Sequence, residues 1–285
     1  MRKTWAIIGA ATLTAALAAC GSPSENAAQE DAGGDDLVTL RVGVNPVPHG
    51  DILNFVQENL AAEAGLNLEI VEIADYNQPN PQLAEGELDA NYFQHRTFLG
   101  EWQDANPDDE LVYVSDVHVE RLGLYSSEHE DVADLPDGAE IAVPNDAANL
   151  DRALRTLEAE GLFTMDADAG ALATENDIAD NPQDITVTPL EAAQLPRSLG
   201  DVDAAVVNGN YAIEADLAAS ANVLAWEPDD AEDYIENYAN GLVVRAEDEG
   251  DPDIARLAEL LHSDEVRQYI EDTWQGVVFP VDEQA

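Results

Sequence analysis

The 285-residue sequence is poor in basic side chains and almost without cysteine. Eleven Lys and Arg stand against 60 Asp and Glu, a formal net charge of −49 at pH 7, and Lys3 is the only lysine. That balance excludes nucleic acid as a partner, because phosphates need a cationic surface, and it repels the chain from an anionic lipid leaflet. Cys20 is the only cysteine, so no disulfide framework can be built within the chain. Gly-x-Ser-x-Gly and P-loop motifs are missing and no nucleophile–base pair is evident, which argues against an enzyme. The five histidines are scattered with no pair at i, i+4. A metal-binding surface lipoprotein would have to rest on Glu128-His129-Glu130-Asp131, which reads better as a solvated loop, so neither metal nor cofactor is expected.

Long apolar runs are scarce too. The one that stands out is Trp5–Ala19, apolar and small residues broken only by threonines, preceded by Arg2 and Lys3. It is shorter than the ~20 residues that span a bilayer, and its layout is that of a secretory signal. It ends in Leu17-Ala18-Ala19-Cys20-Gly21, a spacing that resembles the lipobox of bacterial lipoproteins, in which the cysteine is acylated and becomes the first residue. The alternative is an ordinary signal peptide cut near a cysteine, against which stands the liability of a lone thiol in an oxidising compartment. The sequence therefore predicts a lipoprotein signal peptide over 1–19, a lipid on Cys20, and a flexible acidic tether over 20–36. The protein would be lipid-anchored on the extracytoplasmic face of the cell membrane. The mature chain would keep nine arginines against all 60 carboxylates. Repulsion of that size relaxes when salt shortens the screening length towards ~3 Å near 1 M, which fits a saline exterior; a merely acidic, soluble surface is the plainer alternative.

Beyond Leu37 the pattern becomes that of a folded body. Val38, Leu40, Val42 and Val44 alternate as in a strand, and a helix over Asp51–Glu63 closes at Gly65. Strand Leu66–Ile73, a helix near Pro81–Glu85, the apolar stretch Leu88–Phe93, helix Thr97–Ala105 and strand Leu111–Val119 follow. This order argues for helices on a largely parallel sheet. A second unit alternates in its own way: Leu122–Tyr125, Glu140–Val143, a helix with Leu150, Leu154 and Leu157 on one face, a capping box at Thr174–Asp177, then Ile185–Thr188 and Val202–Val207. Strands at Val223–Trp226 and Gly241–Arg245 and two helices, Pro252–Leu261 and one opened by Ser263, complete the chain. The fold class is α/β, as two lobes around a cleft: 37–118 plus 230–285 in lobe 1 and 119–229 in lobe 2. Small ligands bind in such clefts.

Several segments carry candidate chemistry. Tyr76, in Asp75-Tyr76-Asn77-Gln78-Pro79-Asn80, sits just past a strand where α/β proteins place ligand loops, although a half-buried loop aromatic reads the same. Tyr92, Phe93 and His95 end an apolar stretch; they suit an aromatic slot with an imidazole at its rim, or core residues and a helix cap. Such a slot suits a thioether, since sulfur against an aromatic ring contributes ~0.3–1.5 kcal/mol. Arg152 reads as lying in or near the first turn of a helix, where a cation is slightly unfavourable unless an anion binds between it and the free backbone N–H groups; a surface pair with Asp146 or Asp151 is the alternative. Asn208 and Asn240 stand at strand ends, with donors and acceptors for a zwitterion or for ordinary turns.

Taken together these segments resemble the methionine-binding lipoproteins of bacterial ABC methionine importers, the NlpA-type family. The likeness runs from Val42 to about Pro280 through Pro48-His49, Asp75-Tyr76, Gln78-Pro79-Asn80, Asp89–His95, Val117-His118-Val119-Glu120, Pro144-Asn145-Asp146, Glu191–Arg197 and Tyr238-Ala239-Asn240. It implies a two-lobed periplasmic-binding-protein fold of type II that closes on its ligand. It implies that Tyr76, Phe93 and His95 hold a methionine side chain, with Tyr92 as a second aromatic neighbour, and that Arg152, Asn208 and Asn240 hold the carboxylate and amino groups. The implied partners are L-methionine, an ABC permease with its ATPase, and the membrane through the lipid. D-Methionine, a methionine-containing peptide or another small apolar amino acid are alternatives the slot residues leave open.

Overall fold

The computed structural model describes residues 37–281; the signal over 1–19, Cys20 and the tether over 20–36 lie outside the described residues. The first stretch runs β1 (Val38–Val44), α1 (Asp51–Val56), β2 (Leu66–Glu72), α2 (Pro79–Ala84), β3 (Ala90–His95), α3 (Arg96–Ala105) and β4 (Leu111–Glu120). The middle runs β5 (Gly123–Ser126), β6 (Glu140–Pro144), α4 (Ala147–Ala159), the short pair β7 (Thr164–Met165) and β8 (Ile178–Asp180), then β9 (Thr186–Leu190), α5 (Leu195–Ser198), β10 (Ala204–Val207), α6 (Gly209–Glu214), α7 (Leu217–Ser220) and β11 (Asn222–Trp226). The chain then returns through α8 (Tyr234–Tyr238), β12 (Ala239–Arg245), α9 (Pro252–Leu261), α10 (Asp264–Thr273) and β13 (Val278–Pro280).

Two large sheets result beside the two-stranded β7-β8 pair, one in the order β13-β4-β12-β3-β1-β2 and one in the order β11-β5-β10-β6-β9. β1 pairs in parallel with both β2 and β3, as the alternation of strands and helices predicts. The sheet is nevertheless mixed, because β12 lies antiparallel between β3 and β4. The reason is the route of the chain. β4 leaves the first sheet at its C-terminal end, and β12 re-enters from that same end, with Ala239 opposite Val119 and Arg245 opposite Leu111. β12 shifts register at Gly241, where a Cβ would collide with the Ser115 carbonyl oxygen; only glycine fits there.

Each sheet has its own core. On the first, Ile52, Leu53 and Val56 of α1, Leu257 and Leu261 of α9, and Ile270 of α10 pack over Val42, Val44 and Leu242. On the second, Leu150, Leu154 and Leu157 of α4 cover Ile141, Val143 and Val206, the i, i+4, i+7 stripe visible in the sequence. The predicted starts of helices are made by side chains: Ser263 accepts from Val266 N–H, and Thr174 and Asp177 form a reciprocal capping box. That box opens a single turn of helix over 175–177, not a longer helix. The predicted helix over 51–63 is α1 continued by a wider-wound turn over 57–61.

The chain crosses between sheets twice, through Arg121-Leu122 and back through 227–238. The two crossings run side by side: Glu227 N–H donates to the Leu122 carbonyl at 3.0 Å, and Leu122 N–H donates to Glu227 Oε1 at 3.0 Å. No helix among the described residues is long and apolar enough to cross a membrane.

Candidate functional site: a cavity between the two sheets

A cavity lies where the crossings, β3, α4 and the β10–α6 turn converge. One end is aromatic. Tyr76, on the loop after β2, and Phe93 on β3 have ring centroids 6.0 Å apart, and Phe98 on α3 lies 5.7 Å from Tyr76 and 5.8 Å from Phe93. The Tyr76 hydroxyl donates to Asn210 Oδ1 of α6 at 2.6 Å, so this wall ties the two lobes together. Tyr211 of α6 does the same in reverse, donating to the Ala74 carbonyl at 3.1 Å.

The other end is polar and built from both lobes. His95 has two duties: Nδ1 accepts from Phe98 N–H, capping α3, and Nε2–H donates to Asn149 Oδ1 of α4 at 3.2 Å. Burial, reinforced by Arg152 nearby, lowers the His95 pKa to about 3 and keeps the imidazole neutral. Asn240, at the start of β12, accepts from His49 Nε2–H at 3.1 Å. Asn208 stands at the residue before α6 but its side chain makes no capping hydrogen bond, and its Oδ1 is buried with no hydrogen-bond partner among the described residues. Tyr76, Phe93, His95, Arg152, Asn208 and Asn240 therefore all line one cavity.

Tyr92 does not, and the expectation that it neighbours a ligand is corrected here. Side chains alternate along a strand, so the residue before Phe93 points to the opposite face. Tyr92 is fully buried in the core of the first sheet, and its hydroxyl bonds His118 Nδ1.

Arg152 occupies a different setting from the one the sequence suggests. It is the sixth residue of α4, beyond the first turn, and only 4% exposed. The free N–H groups of α4 are already taken: Ala147 and Ala148 donate to the Glu101 carboxylate of α3 at 3.0 and 2.9 Å, and Asn149 N–H donates to Asp146 at 2.9 Å. The guanidinium forms a fork with Glu227, from Nε to Oε2 at 3.0 Å and from Nη2 to Oε1 at 2.5 Å. Nη2 also reaches the Glu120 carbonyl at 3.2 Å, and Nη1 reaches Asn149 Oδ1 at 3.2 Å. Burial alone would depress the guanidinium pKa, but Glu227 beside it holds it above the ordinary arginine value. The surface pairing with Asp146 or Asp151 is not made; the Tyr238 ring stacks 4.3 Å from the guanidinium carbon.

Six lining residues had no assigned ligand role in the sequence: Gln94, Phe98, Glu120, Leu122, Asn149 and Gly209. Glu120, the last residue of β4, is the most consequential. His118 Nε2–H donates to its Oε1 at 2.8 Å, His49 Nε2–H approaches the same oxygen at 3.3 Å, and Asn210 N–H bonds the carboxylate as well. Burial pushes the Glu120 carboxyl up from its ordinary value and lowers the His49 and His118 pKa values to about 4 and about 3. In the loop around His129 that side chain lies 3.6 Å from Asp203, and among the described residues it is His49, His118 and Glu120 whose donor atoms cluster within 4.8 Å.

With this geometry in hand, comparison with known proteins is decisive. The family model described as NlpA lipoprotein matches residues 40–282. This chain belongs to the NlpA lipoprotein family. Within that family it is 36% identical to the methionine-binding lipoprotein MetQ of Bacillus subtilis over 94% of each chain. It is 32% identical to the D-methionine-binding lipoprotein MetQ of Salmonella typhimurium over 96% of each chain. A solved nutrient-binding protein from Burkholderia cenocepacia, bound to methionine, superposes with a TM-score of 0.79 at 36% identity, covering 85% of this chain and 99% of that one. The two-lobed α/β fold of these binding lipoproteins is thus also the fold of this NlpA chain.

Proposed function

We propose that this protein is the substrate-binding lipoprotein of an ABC importer, that it captures L-methionine in the cavity between its two sheets, and that it delivers the amino acid to a membrane permease driven by its ATPase. The observation that carries the reading is the cavity's polarity. An aromatic end of Tyr76, Phe93 and Phe98 faces a polar end in which Arg152 is held in a fixed fork. A thioether belongs at the first and an α-carboxylate at the second, with His95, Asn208 and Asn240 completing the contacts.

The contacts between Tyr76 and Asn210, and between His95 and Asn149, join opposite sides of the cavity. A ligand touching both sides stabilises the closed arrangement by its differential affinity for it. A lipid on Cys20 and a tether of roughly 20 Å reach would keep the body near its permease. The D-isomer is the second reading, favoured by the D-methionine-binding names among the relatives. Titration calorimetry with L-methionine, D-methionine, leucine and a methionine dipeptide tests the proposal. Saturable one-to-one heat is expected, strongest for L-methionine; no heat with either methionine isomer would refute it.

A further inference from the structure

Outside the cavity, a carboxylate reaches from a helix of one sheet to a helix of the other. Leu99 and Trp102 seat α3 on the first sheet, against Leu111 and Val243, while Leu150, Leu154 and Leu157 seat α4 on the second. Glu101 stands between Leu99 and Trp102, and its side chain spans two consecutive N–H groups at the start of α4. Oε1 accepts from Ala147 at 3.0 Å and Oε2 accepts from Ala148 at 2.9 Å.

A helix leaves its first N–H groups without partners of its own. α4 satisfies the third through Asp146, which accepts from Asn149 N–H at 2.9 Å, and the first two through a residue of the opposite lobe. The positive end of the helix adds to both bonds, because the acceptor is a carboxylate. Glu101 arrives there against a like charge: burial pushes the Asp146 carboxyl up to about 6, and the Glu101 charge adds to that shift. The two N–H groups therefore hold Glu101, not a general attraction between the lobes.

Other bridges are of a different kind. Tyr76–Asn210 and His95–Asn149 involve residues that line the cavity, so their strength is bound up with the ligand. Asn77 Nδ2 donates to Glu191 Oε1 at 3.0 Å outside the cavity, but as a single bond between exposed side chains. Glu101 is outside the lining and makes two bonds.

We infer that Glu101 is an interlobe latch: by capping a helix of the opposite lobe it sets how firmly the closed protein retains its ligand, without choosing which ligand. When the lobes part, the carboxylate and the two N–H groups return to water, so the contact favours the closed state alone. Such a contact raises the affinity of every ligand held by the closed state, and by one common factor. The inference rests on the reading of the cavity as an amino-acid site and adds to it a positioning residue that touches no ligand.

The test is calorimetry on wild type, E101A and E101Q with a panel of the twenty amino acids and D-methionine, joined to urea melts of the ligand-free proteins. E101A should weaken each ligand that wild type binds by about 10-fold, the scale of a lost charge-assisted contact, and should leave the ratio of L- to D-methionine affinity unchanged. E101Q keeps the side chain's shape and one acceptor oxygen, guards against a folding failure, and should weaken the same ligands by a smaller factor. The urea midpoint of ligand-free E101A should match wild type. A midpoint that falls in step with affinity would reduce Glu101 to a cap that keeps α4 folded, and a changed L-to-D ratio would place it in contact with the ligand; either result overturns the latch. Methionine bound equally by wild type and E101A would overturn it while leaving methionine as ligand. Another amino acid bound in place of methionine, and weakened about 10-fold by E101A, would remove methionine and leave the latch standing. Silence toward the whole panel would overturn both.

Discussion

Two glutamates mark the two places where the chain leaves one sheet for the other, and they are treated in opposite ways. Glu227, just past β11, receives a bidentate arginine, the Tyr234 hydroxyl at 2.5 Å and the Leu122 N–H. Glu120, at the end of β4, receives two neutral imidazoles and an amide. Both are nearly fully buried. The difference teaches that the acidity at these crossings is held in two ways: one carboxylate is bonded by a cation and holds the return crossing in place, and the other is bonded by neutral donors. A buried fork of this kind gives little net stability but is costly to break.

The largest effect should come from breaking the pair with the cation. R152A leaves Glu227 buried without its counter-ion, so it should lose about 3–5 kcal/mol in chemical denaturation as well as tight methionine binding. E227Q should lose a similar amount by stranding Arg152, whereas E120Q removes a buried charge bonded only by neutral N–H donors and should cost less. Equal losses for E227Q and E120Q in urea melts would erase the distinction.

Packing gives a smaller effect. G209A drives a methyl group against the Glu120 side chain and should cost about 1–3 kcal/mol while weakening methionine binding, with wild-type affinity arguing against the close approach.

Smaller again is the pH response of the neutral donors. The folded His118 pKa of about 3 lies below the unfolded value of 6.5, so the unfolded chain binds more protons and folding stability falls as pH drops from about 6.5 towards 3. H118N should lose less stability than wild type between pH 7 and pH 5, up to about 1.4 kcal/mol for each unit of that window; parallel losses would indicate a charged imidazole.

The sequence disclosed elements more readily than partners. Alternation at Val38–Val44 and the Leu150–Leu154–Leu157 stripe are local patterns, and β1 and α4 follow from them. The short helices α5 to α8 were missed because four to six residues hold too few periods to show. Arg152 stood out for being a cation near a helix start in a chain with few cations. Its partner is 75 residues away in Trp226-Glu227-Pro228, which carries no pattern at all. Tyr92 failed as a contact because adjacent aromatics on one strand cannot share a face. Glu120 lay within a segment shared with the family, yet its role emerges only where β4, α6 and the Pro46–Gly50 turn that carries His49 meet.

The assignment of the cavity's two ends is tested most directly by a crystal structure of the methionine complex. The expected result has the thioether among Tyr76, Phe93 and Phe98, the carboxylate on Arg152 with the Glu227 fork intact, and the ammonium within hydrogen-bond distance of Asn208 or Asn240. An ammonium turned toward Glu227, or a carboxylate that displaces Glu227 from Arg152, would contradict it.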